Sequence, residues 1–93
     1  MSSLSATVDP SIKVMCREVG RYRRLCRAHL LAYGLSWEGT TPSPKAKSPY
    51  DRFRYWSDRF DAILKMPPSS DRDDVLRVVH SKLFDAAVRI DCE

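Results

Sequence analysis

Long apolar runs are the first thing this chain lacks. No stretch approaches the roughly 18 residues that cross a bilayer as a helix, so no transmembrane segment is expected. Residues 1–10 have neither the basic start nor the apolar stretch of a secretory signal, so none is expected there. No stretch alternates with period two over a strand's length, and no sheet is expected. Glycine is scarce, at three residues, and none forms a phosphate-cradling loop. The two histidines, His29 and His80, are far apart and fall on different predicted helices. Neither they nor Ser70 and Ser81 have the spacing of a nucleophile and its base, so no catalytic residue is expected and an enzyme is not. Asp71, Asp73 and Asp74 look like part of a metal loop, but the glycine and distal glutamate of a calcium loop are missing. Acids are common at helix starts, and no metal ligand is expected. Cysteine is also sparse. Cys16, Cys26 and Cys92 make an odd count with no C-x-x-C and no Cys/His cluster, which argues against a zinc site or a disulfide framework. Cys16 and Cys26 have the C-x9-C spacing of oxidised helical hairpins, but the second pair such hairpins need is absent; free thiols in a reducing compartment are the expectation.

What is present is a chain of 93 residues, one domain's worth, 43% hydrophobic and 30% charged, and therefore globular rather than disordered. A domain this short buries only somewhat more than half of its unfolded surface, so its core is modest. Its charge is uneven. Through Gly34 there are six basic residues against two acids, Asp9 and Glu18; from Leu35 onward there are ten of each. A basic element on a neutral body points to an acidic partner: a protein, nucleic acid or an anionic membrane.

Three helical segments carry the periodicity, at about residues 10–33, 49–65 and 70–90. Asp9 as N-cap and Pro10 at the first helical position open the first, and Gly34 stops it. Ile12, Met15, Val19, Tyr22, Cys26, Leu30 and Tyr33 fall on one stripe about 80° wide. Lys13, Arg17, Arg21, Arg24 and Arg27 cluster on the other side. Gly20 interrupts this helix and marks an expected close approach of another backbone. Residues 35–48 read as a long loop, with Trp37 its one large apolar anchor. Ser48, Pro49 and Asp51 open the second helix as a variant capping box, and Phe53, Trp56, Phe60, Ile63 and Leu64 form its inner face. Met66-Pro67-Pro68 ends it. Ser69 or Ser70 caps the third, whose stripe is Leu76, Val79, Leu83, Ala87 and Ile90. Val75, Val78 and Val88 widen that face, which implies more than one neighbour. The expectation is an all-α three-helix bundle with a long loop between helices 1 and 2, forming a single domain over 1–93.

Five of the eleven residues from Arg17 to Arg27 are arginine. Guanidinium groups make planar, paired contacts with carboxylate or phosphate, and only Glu18 balances them. This is the expected docking face. A second interleaving of bases and aromatics, at Tyr50, Arg52, Phe53, Arg54, Tyr55, Trp56, Arg59 and Phe60, is a pattern that can stack on single-stranded nucleic acid. Helical spacing assigns Phe53, Trp56 and Phe60 to the core instead, leaving Tyr55 and Arg52 for a partner.

Arg21-Tyr22-Arg23-Arg24-Leu25-Cys26-Arg27 resembles the signature of the LYR-motif (complex I LYR-like) family of small mitochondrial adaptors, in which Leu-Tyr-Arg opens a run of the form L-Y-R-R-x-x-R. Arg59-Phe60 matches the Arg-Phe pair late in that family's second helix, and an acid-capped third helix follows. The likeness spans about residues 11 to 90. Arg21 stands where the family has leucine, and the first loop is longer than the likeness leads one to expect. The resemblance implies a non-catalytic accessory or adaptor subunit of a mitochondrial assembly, respiratory complex I first, in the matrix or on the matrix face of the inner membrane. It implies an acidic acyl carrier protein as partner, alongside subunits of a large mitochondrial complex. No cofactor is bound directly; the carrier's acyl-phosphopantetheine would enter between the helices. Tyr22 and Arg23 are then motif residues, Arg17, Arg21, Arg24 and Arg27 meet the carrier, and Phe60, Val79 and Leu83 line an acyl tunnel. The alternatives are a small basic RNA-binding or mitoribosome-associated protein, or a purely structural subunit of a large complex.

Overall fold

The computed structural model describes residues 10–92. Among them are three α-helices and no strand: α1, Pro10–Ala32; α2, Pro49–Leu64; and α3, Ser70–Asp91. The expected all-α three-helix bundle is the observed architecture, and each boundary lies within a residue of its expected place. Asp9, the expected cap of α1, lies outside the described residues.

The helix ends show why these limits hold. At the C-terminus of α1, Gly34 adopts φ +73°, a left-handed conformation that glycine enters without a steric penalty. The Leu35 amide then donates to the Leu30 carbonyl at 2.8 Å and the Gly34 amide to the Leu31 carbonyl at 3.0 Å. This pair of bonds is a Schellman cap. It ends the helix before Tyr33, which was expected on the buried stripe and is instead 58% exposed. At α2, Pro49 takes the first turn as expected, but the capping box does not form. Ser48 makes no side-chain cap, and the Asp51 carboxylate turns to the loop, accepting from the Thr41 amide at 3.0 Å. Ser69, rather than Ser70, caps α3 by accepting from the Arg72 amide at 3.0 Å.

The core is one cluster drawn from all three helices: Ile12, Met15, Val19, Cys26 and Leu30 of α1, Tyr50, Phe53, Phe60 and Ile63 of α2, and Leu76, Val79, Leu83, Ala86, Ala87 and Ile90 of α3. Each fully buried large side chain here contributes on the order of 1.5–3 kcal/mol. The wide face of α3 packs on both α1 and α2. Its outer members Val75, Val78 and Val88 stay exposed. Gly20 meets no other backbone; a Cβ there would find only the Arg24 Nη1 at 3.9 Å.

The connection from α1 to α2 is long but fastened. A 3-10 turn, Trp37–Gly39, sits within it, with the Ser36 hydroxyl accepting from the Gly39 amide at 3.2 Å. Trp37 packs edge-on against Phe53, with ring centroids 6.1 Å apart. The guanidinium groups of Arg27 and Arg54 lie 5.0 and 5.2 Å from its indole, within cation–π reach. Arg54 also donates to the Trp37 carbonyl and to Thr40 Oγ1. Arg52 donates to the Ala46 carbonyl at 2.7 Å and the Lys47 carbonyl at 3.2 Å. Trp37 thus anchors the loop as its isolation in the sequence implied, and Arg52 is spent on the loop rather than left for a partner.

Candidate functional site

The arginines of α1 divide into two groups. Arg17, Arg21 and Arg24 are exposed on the outer face, and among the described residues none has a carboxylate partner. Lys13 extends this face toward the N-terminus, and Arg27 closes it at the other end, partly engaged by the Trp37 ring. Glu18 is the one acid of α1, and it does not balance them. It faces α3, with its Oε1 3.1 Å from His80 Nε2, though the two are not aligned as a hydrogen bond. The positive face is therefore uncompensated within the described fold, a state that favours an anionic partner.

Arg23 parts from this group. Its Nε donates to the Ser57 hydroxyl at 2.7 Å, and its Nη2 to the Ser57 carbonyl at 3.2 Å and to Asp61 Oδ1 at 2.8 Å. Ser57 is 2% exposed, the only buried polar residue among those described. Arg23 sits one turn beyond Val19, at the edge of the apolar stripe, so its guanidinium reaches across to α2 instead of outward. As a motif residue it serves the α1–α2 interface of this chain.

Tyr22 is half-buried between α1 and α3. Its ring lies 5.8 Å from His80 and 6.0 Å from Phe84. Burial raises its phenol above the usual range, Glu18 adds to that, and Arg21 pulls the other way. It also lines a groove of about 240 Å³ with Arg21, Leu25, Phe84, Ala87, Val88 and Asp91. Periodicity gives no sign of this groove, because Leu25 and Phe84, which line it with Tyr22 and Val88, lie outside the periodic stripes. It runs directly beside Arg21.

Phe60, Val79 and Leu83, the expected acyl-tunnel lining, are packed core, at most 2% exposed. None of them lines the α1–α3 groove or the groove of about 410 Å³ near the N-terminus of α1, formed by Ile12, Lys13, Cys16, Arg17, Leu64, Pro68 and Arg72. An acyl chain reaches them only if the helices part. Cys16, Cys26 and Cys92 are free thiols. Burial pushes Cys26 up to about 12, against a weak opposing pull from Arg27, so this thiol is inert at neutral pH.

Among the described residues no three metal-ligating side chains converge, and no helix is long and apolar enough to cross a membrane. No protein-family model matches the chain, and neither a curated protein nor a solved structure matches it.

Proposed function

We propose that this protein is a non-catalytic adaptor that docks an acidic partner on the outer face of α1. The observation that carries the reading is the row of exposed guanidinium groups at Arg17, Arg21 and Arg24, without an acid to neutralise them among the described residues. On the resemblance to the LYR-motif adaptors, the partner is an acyl carrier protein. The assembly it joins is mitochondrial, with respiratory complex I first among the candidates. Arg17, Arg21, Arg24 and the outer part of Arg27 meet the carrier's acidic helix, while Arg23 holds α1 to α2 behind them. The groove of Tyr22, Leu25, Phe84 and Val88 beside Arg21 supplies apolar contact next to the charged one. Phe60, Val79 and Leu83 receive an acyl chain only when α3 moves away from α1 and α2, so the acylated carrier binds by opening the bundle.

The test is a binding titration with purified acyl carrier protein in its unmodified, phosphopantetheinylated and acylated forms. The wild-type protein should bind the acylated form most tightly. The triple variant R17E/R21E/R24E should lose binding at least a hundredfold while melting as the wild type does. A protein that ignores all three carrier forms but binds RNA, with affinity falling steeply as salt rises, is a nucleic-acid protein. One that binds neither, and is recovered only within a large complex, is a structural subunit.

A further inference from the structure

We infer that the capped end of α1 is an interfacial anchor for an anionic membrane surface. This inference rests on the apolar tip beyond the arginine face and shares only Arg24 and Arg27 with it. Three large side chains are mostly exposed there: Leu31 is 78% exposed, Tyr33 58% and Leu35 55%. Leu31 is the most exposed large apolar residue among those described. Such a cluster on so small a domain marks a contact surface.

Two features fit lipid as the occupant. The first is backbone satisfaction. A helix end that enters a less polar medium is penalised for each bare carbonyl. Here the Leu30 carbonyl accepts from the amides of Tyr33 and Leu35, at 3.0 and 2.8 Å, the Leu31 carbonyl accepts from Gly34 at 3.0 Å, and the His29 carbonyl accepts from Tyr33 at 3.2 Å. The tip can therefore enter the headgroup region with the His29, Leu30 and Leu31 carbonyls already paired. The second feature is charge. Arg27 and Arg24 stand one and two turns behind Leu31, on the same side of α1. Of the carboxylates near this end, Asp51 accepts from the Thr41 amide and Asp91 faces His29 at 3.8 Å. Glu38 lies on the adjoining turn. Apolar tip, amphipathic tyrosine and flanking arginines together are the composition of an interfacial anchor.

The experiment is co-sedimentation of the full chain with phosphatidylcholine vesicles, with and without phosphatidylglycerol. The variant is L31Q/Y33S, which changes exposed side chains only and keeps Gly34 and Leu35. The wild type should sediment with the anionic vesicles and not with the neutral ones, and the variant should lose about tenfold or more in partitioning with an unchanged circular dichroism spectrum and melting temperature. Absence of wild-type binding to anionic vesicles overturns the inference. So does equal binding by the variant, which would assign the attraction to the arginines alone. So does a concentration-dependent dimer in sedimentation velocity that the variant abolishes, which would make the tip a contact between two copies. A failed carrier titration leaves this result untouched, since no carrier is present.

Discussion

Replacing Arg23 by alanine should destabilise this bundle, although the residue belongs to an arginine cluster that is otherwise exposed. The guanidinium makes three hydrogen bonds across the α1–α2 interface, two of them to Ser57. A hydrogen bond between a charged donor and a buried neutral acceptor contributes about 1.5–3 kcal/mol. The Asp61 contact is largely solvated, with the carboxylate side chain 53% exposed, and adds at most about 1 kcal/mol. The truncation also leaves the Ser57 hydroxyl buried without its donor. Because the Arg23 side chain is 27% exposed and water replaces part of what is lost, the terms do not add in full and the net loss is about 2–3 kcal/mol. For a domain of this size, about 4–8 °C accompanies each kcal/mol, so the melting temperature should fall by roughly 10–20 °C. Asp61→Asn should cost less than about 1 kcal/mol by the same reasoning. The assay is urea and thermal unfolding of R23A, S57A and the double variant as a thermodynamic cycle. A coupling of about 1 kcal/mol or more between Arg23 and Ser57 is expected. An R23A variant as stable as the wild type, or a coupling near zero, would refute the assignment and return Arg23 to the docking face.

Two further outcomes follow from other contacts. Trp37→Ala removes two cation–π contacts at about 0.5–1 kcal/mol each and an aromatic pair at about 0.5–1.5 kcal/mol; the bundle should lose about 2–3 kcal/mol, and limited trypsin digestion should cut at Lys45 and Lys47 well before it does in the wild type. Unchanged cleavage would mean that Arg52 and Arg54 hold the loop alone. For Cys26, burial raises the folded thiol from the ordinary 9.0 to about 12. Below pH 9 it is neutral in both states. Above that the unfolded chain ionises first, so its contribution to stability is lost as pH climbs toward 12. Stability should therefore decline more steeply above pH 9 in the wild type than in Cys26→Ala, and in alkylation Cys92 should react first and Cys26 only on global unfolding; parallel alkaline limbs would show that the thiol is not desolvated.

The three helices were legible because periodicity and punctuation agree. Pro10 and Pro49 open α1 and α2, Gly34 closes α1, and the stripes of Val19, Phe53 and Leu83 find each other by apolar matching alone. What the sequence concealed lies between elements. Arg23 was grouped with its neighbours by charge, whereas its spacing from Val19 and Cys26, four residues after one and three before the other, already places it beside the core. Its partner Ser57 interrupts the Phe53–Phe60 face of α2, and a lone serine on an apolar face gives no hint of which helix will answer it. Asp51 looked like a cap because a cap was the nearest use for it, but a distant loop amide took the carboxylate. Tyr22 lies at the margin of its stripe and is only half covered, so it contributes less to the core than its size implied. The groove at Leu25 and Phe84 was invisible because periodicity keeps the residues that fit one face and passes over those at the edge between two.

The two connectors differ in a way that bears on the order of assembly. Residues 65–69 join α2 to α3, whereas α1 returns to the bundle only through residues 33–48. Closing the longer link costs about 1 kcal/mol more in chain entropy, and α3 buries more of itself against α2 than either does against α1. On this ground the α2–α3 hairpin is expected to form first and α1 to join it late, an order that φ-values at Phe53, Val79 and Val19 test. In the reverse direction α1 is the first to leave. Its departure would break the Arg23–Ser57 link and uncover Phe53, Phe60 and Leu83 together, so on the proposed function a partner that grips α1 would also set the balance between closed and open forms.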